Sequence, residues 1–373
     1  MKIKITQNTF KNNLQILFKK FTYSLFKLFH GNIKGIIKLD KNKNEQYTTI
    51  LGNNYKYNIY ICKNSRVYTD TIHDTAFIKD NYLIDGPSFQ FRNNVIVDCE
   101  KNIVFEKGTP RVKKKIEGRV FSLLTGGGGN SNYFHWLFDV LPRLIILRQK
   151  IDWQDINFFL FPDINLNFQK ETLDFLKIPH NKRLSSKLYR HIYAQEIISV
   201  DHPCVILNDP LKDNNNIPKW ILEFYKNEIK TKMNLKKNIR KIYIDRSDST
   251  SNIKDLRFII NENQVKELLI NKGFKAVRLS SLSFVKQVEL FNSADTIVGL
   301  HGAGLSNILF CEPDTKIIEI KPAHVGNMYE RLGNNLSLNY INLESETQNI
   351  NINQPNQLGD IKVDLNKLEK LIN

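Results

Sequence analysis

The sequence predicts an α/β protein built on open, mostly parallel sheets, and three observations predict it. The first is the stretch Ala294–Pro322, ADTIVGLHGAGLSNILFCEPDTKIIEIKP. Thr296–Leu300 is apolar and β-prone, as a strand buried on both faces should be. It runs into His301-Gly302-Ala303-Gly304, a helical segment begins near Leu305 or Ser306, Cys311–Asp314 breaks the chain, and Lys316–Ile320 makes the next strand. The second is the alternation before it: strand Lys241–Ile244, helix Asn261–Asn271, strand Phe274–Leu279, helix Ser283–Asn292. Short connections between such elements mean a doubly wound parallel sheet. The third is size: 373 residues, 41% of them hydrophobic, suffice for two domains with full cores.

Taken in order, residues 1–35 form a basic amphipathic helix. Phe10, Leu14, Leu17, Phe18, Phe21, Leu25, Phe26 and Phe29 recur at helical spacing, Lys11, Lys19, Lys20 and Lys27 interleave with them, and Gly31 stops the helix. The lysines interrupt any signal-peptide core, and no A-x-A site follows. Two readings stay open: a helix lying in an anionic membrane surface, or one docked on the protein's own core. Residues 36–210 form a first domain. Its strand-rich part up to 118 reads as hairpins decorating the acceptor side, with turns at Asn, Asp and Gly. Phe121–Leu124 reads as a strand, followed by the glycines Gly126–Gly129 and then Asn132, a helix N-cap. The helix Tyr133–Leu141 carries His135 and Asp139 four residues apart, so both project from one face. A His–carboxylate pair is either a satisfied structural bond or a catalytic base with its orienter; beside a glycine loop at a strand's end, the second reading is the sharper one. The polar stretch 201–218 reads as the linker, 211–345 as the second domain, and 346–373 as a tail with a short last helix that crosses back to the first domain.

Composition narrows the function. The net charge of +16 suits nucleic acid, an anionic membrane or phosphorylated substrates, but no finger, RRM or KH signature supports nucleic acid. Cys62, Cys99, Cys204 and Cys311 are far apart, without C-x-x-C, so neither a zinc ribbon nor a disulfide scaffold is indicated. No uncharged apolar run is long enough for a transmembrane helix, which makes a cytoplasmic, membrane-apposed protein the expectation. No D-x-D occurs, so no metal clamp is expected. Gly299–Gly304 is neither the dinucleotide fingerprint nor a Walker loop. It does lie at the carboxyl end of a strand, where ligands of open α/β sheets bind, and its glycines allow close approach of backbone to an anion.

Three blocks then resemble glycosyltransferase family 61. They are VGLHGAGLSN with the following EI-x-P; Asn132-Tyr133-Phe134-His135 with Asp139, Pro142 and Leu144; and Tyr243-Ile244-Asp245-Arg246 with Arg257-Phe258-Ile259-Ile260-Asn261-Glu262. The resemblance spans about residues 119–345 in order and spacing. One departure is Ser247–Leu256, longer than usual between the two arginines. The family includes xylan-decorating plant enzymes, animal protein O-GlcNAc transferases and bacterial capsule-type enzymes. It implies the GT-B fold, two Rossmann-like domains with a cleft between them, and an inverting transfer from a nucleotide-sugar, taken as a UDP-sugar, to a glycan or glycolipid acceptor. No cofactor is expected.

On that reading His135 and Asp139 supply the base, in either order of roles. Arg246 grips the diphosphate as a planar fork. Gly302, Ala303, Gly304, Leu305, Ser306 and Asn307 offer it backbone N–H groups. His301 donates to a phosphate or to the sugar, and Glu319 accepts ribose hydroxyls. Asn132 is a further candidate. Arg257 and Glu262 either serve the donor or form an ordinary ion pair. Two other classes stay open: a pyruvyl transferase on the same architecture, and a non-catalytic, membrane-bound glycan-binding module.

Overall fold

The computed structural model describes residues 2–69, 75–88, 90–92, 95–124, 131–204, 216–235, 239–247, 257–348 and 360–373. The chain divides into two compact units, Met1–Ser131 with Asp139–Ile164 and Ile178–Pro210, and Asn132–Phe138 with Asn165–Lys177 and Leu211–Asn373.

The first unit begins with helix α1, Lys2–His30. Gly31 closes it in the left-handed region, its N–H donating to the Lys27 carbonyl at 2.8 Å. Among the described residues nine strands then form one mixed sheet: β1 (Gly35–Ile37), β2 (Gln46–Leu51), β3 (Tyr55–Thr69), β4 (Thr75–Lys79), β5 (Tyr82–Ile84), and, after a separate β6 (Gln90–Arg92) and β7 (Val95–Val97) ribbon, β8 (Lys114–Ser122), β9 (Phe158–Phe161), β10 (Arg183–Ser185) and β11 (His191–Val200). The order is β1-β5-β4-β3-β11-β8-β9-β10, with β2 on β3. β11, β8, β9 and β10 are parallel to one another and β1 is parallel to β5, whereas β3 pairs antiparallel with β2, β4 and β11. This corrects two expectations. The strands before residue 118 are not a decoration, because they supply half of this sheet. Nor is the sheet doubly wound. The cause is connection length: two-residue links such as Asp80-Asn81, both at positive φ, can join only antiparallel strands. Both faces are covered. Val67 and Phe77 join one apolar cluster while their neighbours Tyr68 and Ala76 join another, as period-two alternation requires.

The second unit carries the parallel sheet: β12 (Lys241–Ile244), β13 (Lys275–Val277), β14 (Thr296–Leu300), β15 (Lys316–Pro322) and β16 (Asn339–Ser345), in the order β13-β12-β14-β15-β16. The chain leaves β12 toward one edge and returns past it to β14, so the strand order reverses between β12 and β14. The carboxyl ends at such a reversal form the usual ligand crevice of an open α/β sheet. A small ribbon pairs β17 (Thr347–Gln348) with β18 (Asp360–Ile361). The last helix, Leu365–Ile372, stays on this unit. Its Leu368 and Ile372 share a core with Val265 and Leu269 of the helix Glu262–Asn271, so it does not cross back to the first domain.

Two local geometries differ from expectation. The helical segment after β14 is a 3-10 helix, Ala303–Phe310, and begins ahead of the expected start near Leu305 or Ser306. Leu305 and Ile308, both buried, stack at the spacing of three that this helix favours, and the Asn307 side chain donates to the Gly304 carbonyl at 3.2 Å. The helix predicted over Tyr133–Leu141 is α only at Tyr133–His135 and becomes a π turn over Trp136–Val140. Such π turns recur at functional sites.

Candidate active site

The second unit concentrates charge at the ends of β12 and β14. Arg246, just past β12, donates from Nη1 to the carbonyl of His301 at 2.8 Å. Arg257 reaches the same oxygen at 3.2 Å from a buried position. Burial, and then the neighbouring Arg246 charge, pull Arg257 down to about 10, which still leaves it cationic at neutral pH. Two cations on one carbonyl repel each other, and an anion placed beside them relieves that repulsion. Gly302 makes the arrangement possible: a Cβ there would lie 2.8 Å from Nη1 of Arg246.

Behind the loop, Nδ1 of His301 bonds Oε1 of Glu319 at 2.5 Å. Register explains the meeting. Glu319 on β15 pairs with Gly299 on β14, two residues before His301, in a row where Gly299 presents no side chain. Glu319 is fully buried, so it does not stand where a ribose could reach it; its role is to orient the imidazole. Burial lowers the His301 pKa, and the two arginines add to that, against the raising effect of Glu319. The ring is therefore neutral near pH 7. With the Nδ1 proton donated to Glu319, Nε2 is an acceptor, which opposes the expected donation from His301 to a phosphate. Tyr329 lies against the ring, with centroids 5.2 Å apart.

The other predicted residues are distributed as follows. Glu262 accepts from the Tyr243 hydroxyl and pairs with Lys266, while Arg257 turns to His301, which disfavours the ion-pair alternative for Arg257 and Glu262. Asp245 holds Lys266 at 3.1 Å and Arg278 at 3.4 Å. Asn307 is a brace. Its carbonyl oxygen accepts from the Tyr133 hydroxyl at 2.8 Å and its amide donates to Gln287 at 3.0 Å, tying the 3-10 helix to the segment Asn132–Phe138 of the same unit. Asn132 caps that segment, accepting from the Phe134 N–H at 2.9 Å. Leu305 and Ser306 are buried beside it. Gly126–Gly129 lie outside the described residues.

The unit boundary falls within the π turn, so His135 counts with the second unit and Asp139 with the first. His135 is half-buried, its ring edge-on to Phe134. Asp139 is buried, and its Oδ2 lies 3.6 Å from Nε2 of His202, also buried. The buried Arg143 donates to the Leu124 carbonyl at 2.7 Å and feels the charges of Asp139 and Asp201. His202 and Arg143 were not candidates from the sequence. His202 follows the end of β11, a strand-end position that was one available signal, but nothing in its local pattern links it to Asp139.

Residues 133–318 match the family model described as Glycosyltransferase 61. The matched span holds His135, Asp139, Arg246, Arg257 and His301 and stops just short of Glu319. A search of the curated proteins finds no match to the chain.

Proposed function

The chain belongs to glycosyltransferase family 61 and is a glycosyltransferase, and from that premise we propose that its donor is a nucleotide-sugar, a UDP-sugar, held by the second unit. The observation that carries the reading is the convergence of Arg246 and Arg257 on the His301 carbonyl at the strand-order reversal. A nucleoside diphosphate is the leaving group whose charge two fixed guanidiniums would match. With no D-x-D in the sequence, the arginines and the backbone of Gly302–Asn307 are assigned that charge, and no metal is required.

The proposed reaction is a single inverting displacement in the GT-B architecture that the family resemblance implies. A base removes the proton of the acceptor hydroxyl, its oxygen bonds the anomeric carbon, and the bond from that carbon to the diphosphate oxygen breaks with its electrons leaving on the nucleotide. His135 and Asp139 are assigned as the base and its partner. The 2.5 Å His301–Glu319 bond favours a second assignment, in which Nε2 of a neutral, oriented His301 accepts the proton. The acceptor is a glycan or glycolipid hydroxyl, and the setting is synthesis of a capsule or other surface polysaccharide at the cytoplasmic side of a membrane.

Calorimetric titration with UDP and a panel of UDP-sugars, repeated in EDTA, tests the reading. It expects binding that survives EDTA and an inverted anomeric configuration in the product by NMR. Binding that requires Mn²⁺, or a product of retained configuration, overturns it.

A further inference from the structure

The first unit carries a feature that glycosyl transfer does not use. Helix α1 is held at its C-terminal end by one face. Tyr23, Phe26, Lys27 and His30 are half-buried there. Lys27 Nζ donates to the Glu106 carbonyl at 2.7 Å, Phe26 stacks on His30 with centroids 5.5 Å apart, and Nε2 of His30 meets the Arg111 carbonyl at 3.1 Å. The opposite face is the apolar one. Leu14, Leu17, Phe18, Phe21, Leu25, Leu28 and Phe29 fall within an arc of about 120° at roughly 100° per residue. All seven are exposed, Leu28 by 82% and Phe18 and Phe29 by 71% each. The helix thus docks by its mixed face and turns its apolar ridge outward, the reverse of a helix covering its own core.

Charge identifies the occupant. Eight lysines and no Asp or Glu precede Asp40, so the first 39 residues carry half of the net +16. A second copy of the helix laid on this ridge would bring the six lysines of one helix against the six of the other without one carboxylate in either helix to offset them. Aromatic and leucine side chains beside lysines suit the boundary between headgroups and acyl chains of an anionic bilayer. We propose that α1 is an interfacial anchor whose ridge of Leu14, Leu17, Phe18, Phe21, Leu25 and Leu28 seats the enzyme on an anionic lipid surface. The proposal stands on the helix alone and survives any outcome at the donor site.

The test is co-sedimentation of the full chain with phosphatidylcholine vesicles, with and without phosphatidylglycerol, comparing wild type with Phe21→Glu/Leu28→Glu. Both substituted side chains are exposed, so the variant is expected to keep its melting temperature. The expected result is at least tenfold stronger binding to the anionic vesicles, weakened by salt and lost in the variant. Equal binding to both vesicle types overturns the proposal, as does absence of binding. So does a wild-type dimer in light scattering that the variant converts to monomer.

Discussion

Arg246 and Arg257 donate to the same oxygen, the carbonyl of His301, at 2.8 and 3.2 Å. Eleven positions apart in sequence, they act on one point in space, and their mutual repulsion is bearable because Glu319 lies behind the loop and an anion is expected in front of it. Arg246→Ala should therefore cost about 3 kcal/mol of transition-state stabilisation, the scale of one preorganised charge contact. Arg257→Ala should cost a similar amount, and the double variant less than the sum, since each removal also relieves repulsion on the other. Initial rates and UDP titration on the three variants check this; strictly additive losses would separate the two arginines.

Gly302 and Gly304 make a paired test of close approach. Gly302 sits in extended backbone, φ 165°, so Gly302→Ala introduces no backbone strain. Its new Cβ would lie 2.8 Å from Nη1 of Arg246 and displace the guanidinium. In Gly304→Ala the Cβ meets Cδ1 of Leu279 at 2.9 Å, the end of a flexible side chain that can move. Gly302→Ala is expected to lose UDP binding with little change in melting temperature, and Gly304→Ala to keep most of it. Titration of both variants by calorimetry decides, and the reverse order of effects would remove Arg246 from the anion site.

His191 sets part of the acid stability. It is buried between Arg66, whose Nη1 lies 3.2 Å from its Nε2, and the Arg111 carbonyl, with the rings of His30 and Tyr68 edge-on and Lys113 nearby. Burial foremost, then these cations, push it down from 6.5 to about 3. Below pH 6.5 the unfolded chain binds a proton that the folded chain refuses, so stability falls as pH falls, by at most about 1.4 kcal/mol per unit, down to about 3. His301 and His30, also lowered, act in the same direction. His191→Gln should flatten the slope of melting temperature against pH in that window; an unchanged slope would assign the acid lability elsewhere.

The second unit was largely legible because a strand buried on both faces is apolar at most positions. TIVGL and KIIEI announce themselves, and the glycines mark the loop between them. The first unit was not, because β1, β5 and β10 span only three residues each and carry no period, while β3 finds β11 across more than a hundred residues. The same limit applies within the site. Arg246 and His301 follow visible strand ends, so they could be found. Glu319 turned from a ribose contact into the support of His301 only through the register of β14 and β15, which no local pattern encodes. Arg257 was ambiguous because its distance to Glu262 suggested a pair, whereas Tyr243 and Lys266 had already taken that carboxylate.

The partner found for Asp139 sharpens the test of the base. Helical spacing in the sequence pairs Asp139 with His135, whereas in the structure its carboxylate lies 3.6 Å from His202 in a buried setting with Arg143 close by. Asp139→Asn should therefore lower both turnover and melting temperature, since a buried carboxylate that balances a cation is lost. His135→Ala, at a half-buried position, should cut turnover by about 10²–10⁴, the usual worth of a general base, with little loss of stability. UDP affinity should survive in both, because the arginines and the Gly302 loop are untouched. His202→Gln separates the remaining roles. If His202 positions Asp139 for proton transfer, kcat falls and the pH–rate profile shifts while KM for the donor holds. If only the melting temperature moves, Asp139 and His202 are structural. Should His135→Ala and Asp139→Asn both keep near-normal turnover while Glu319→Gln loses it, the base is His301.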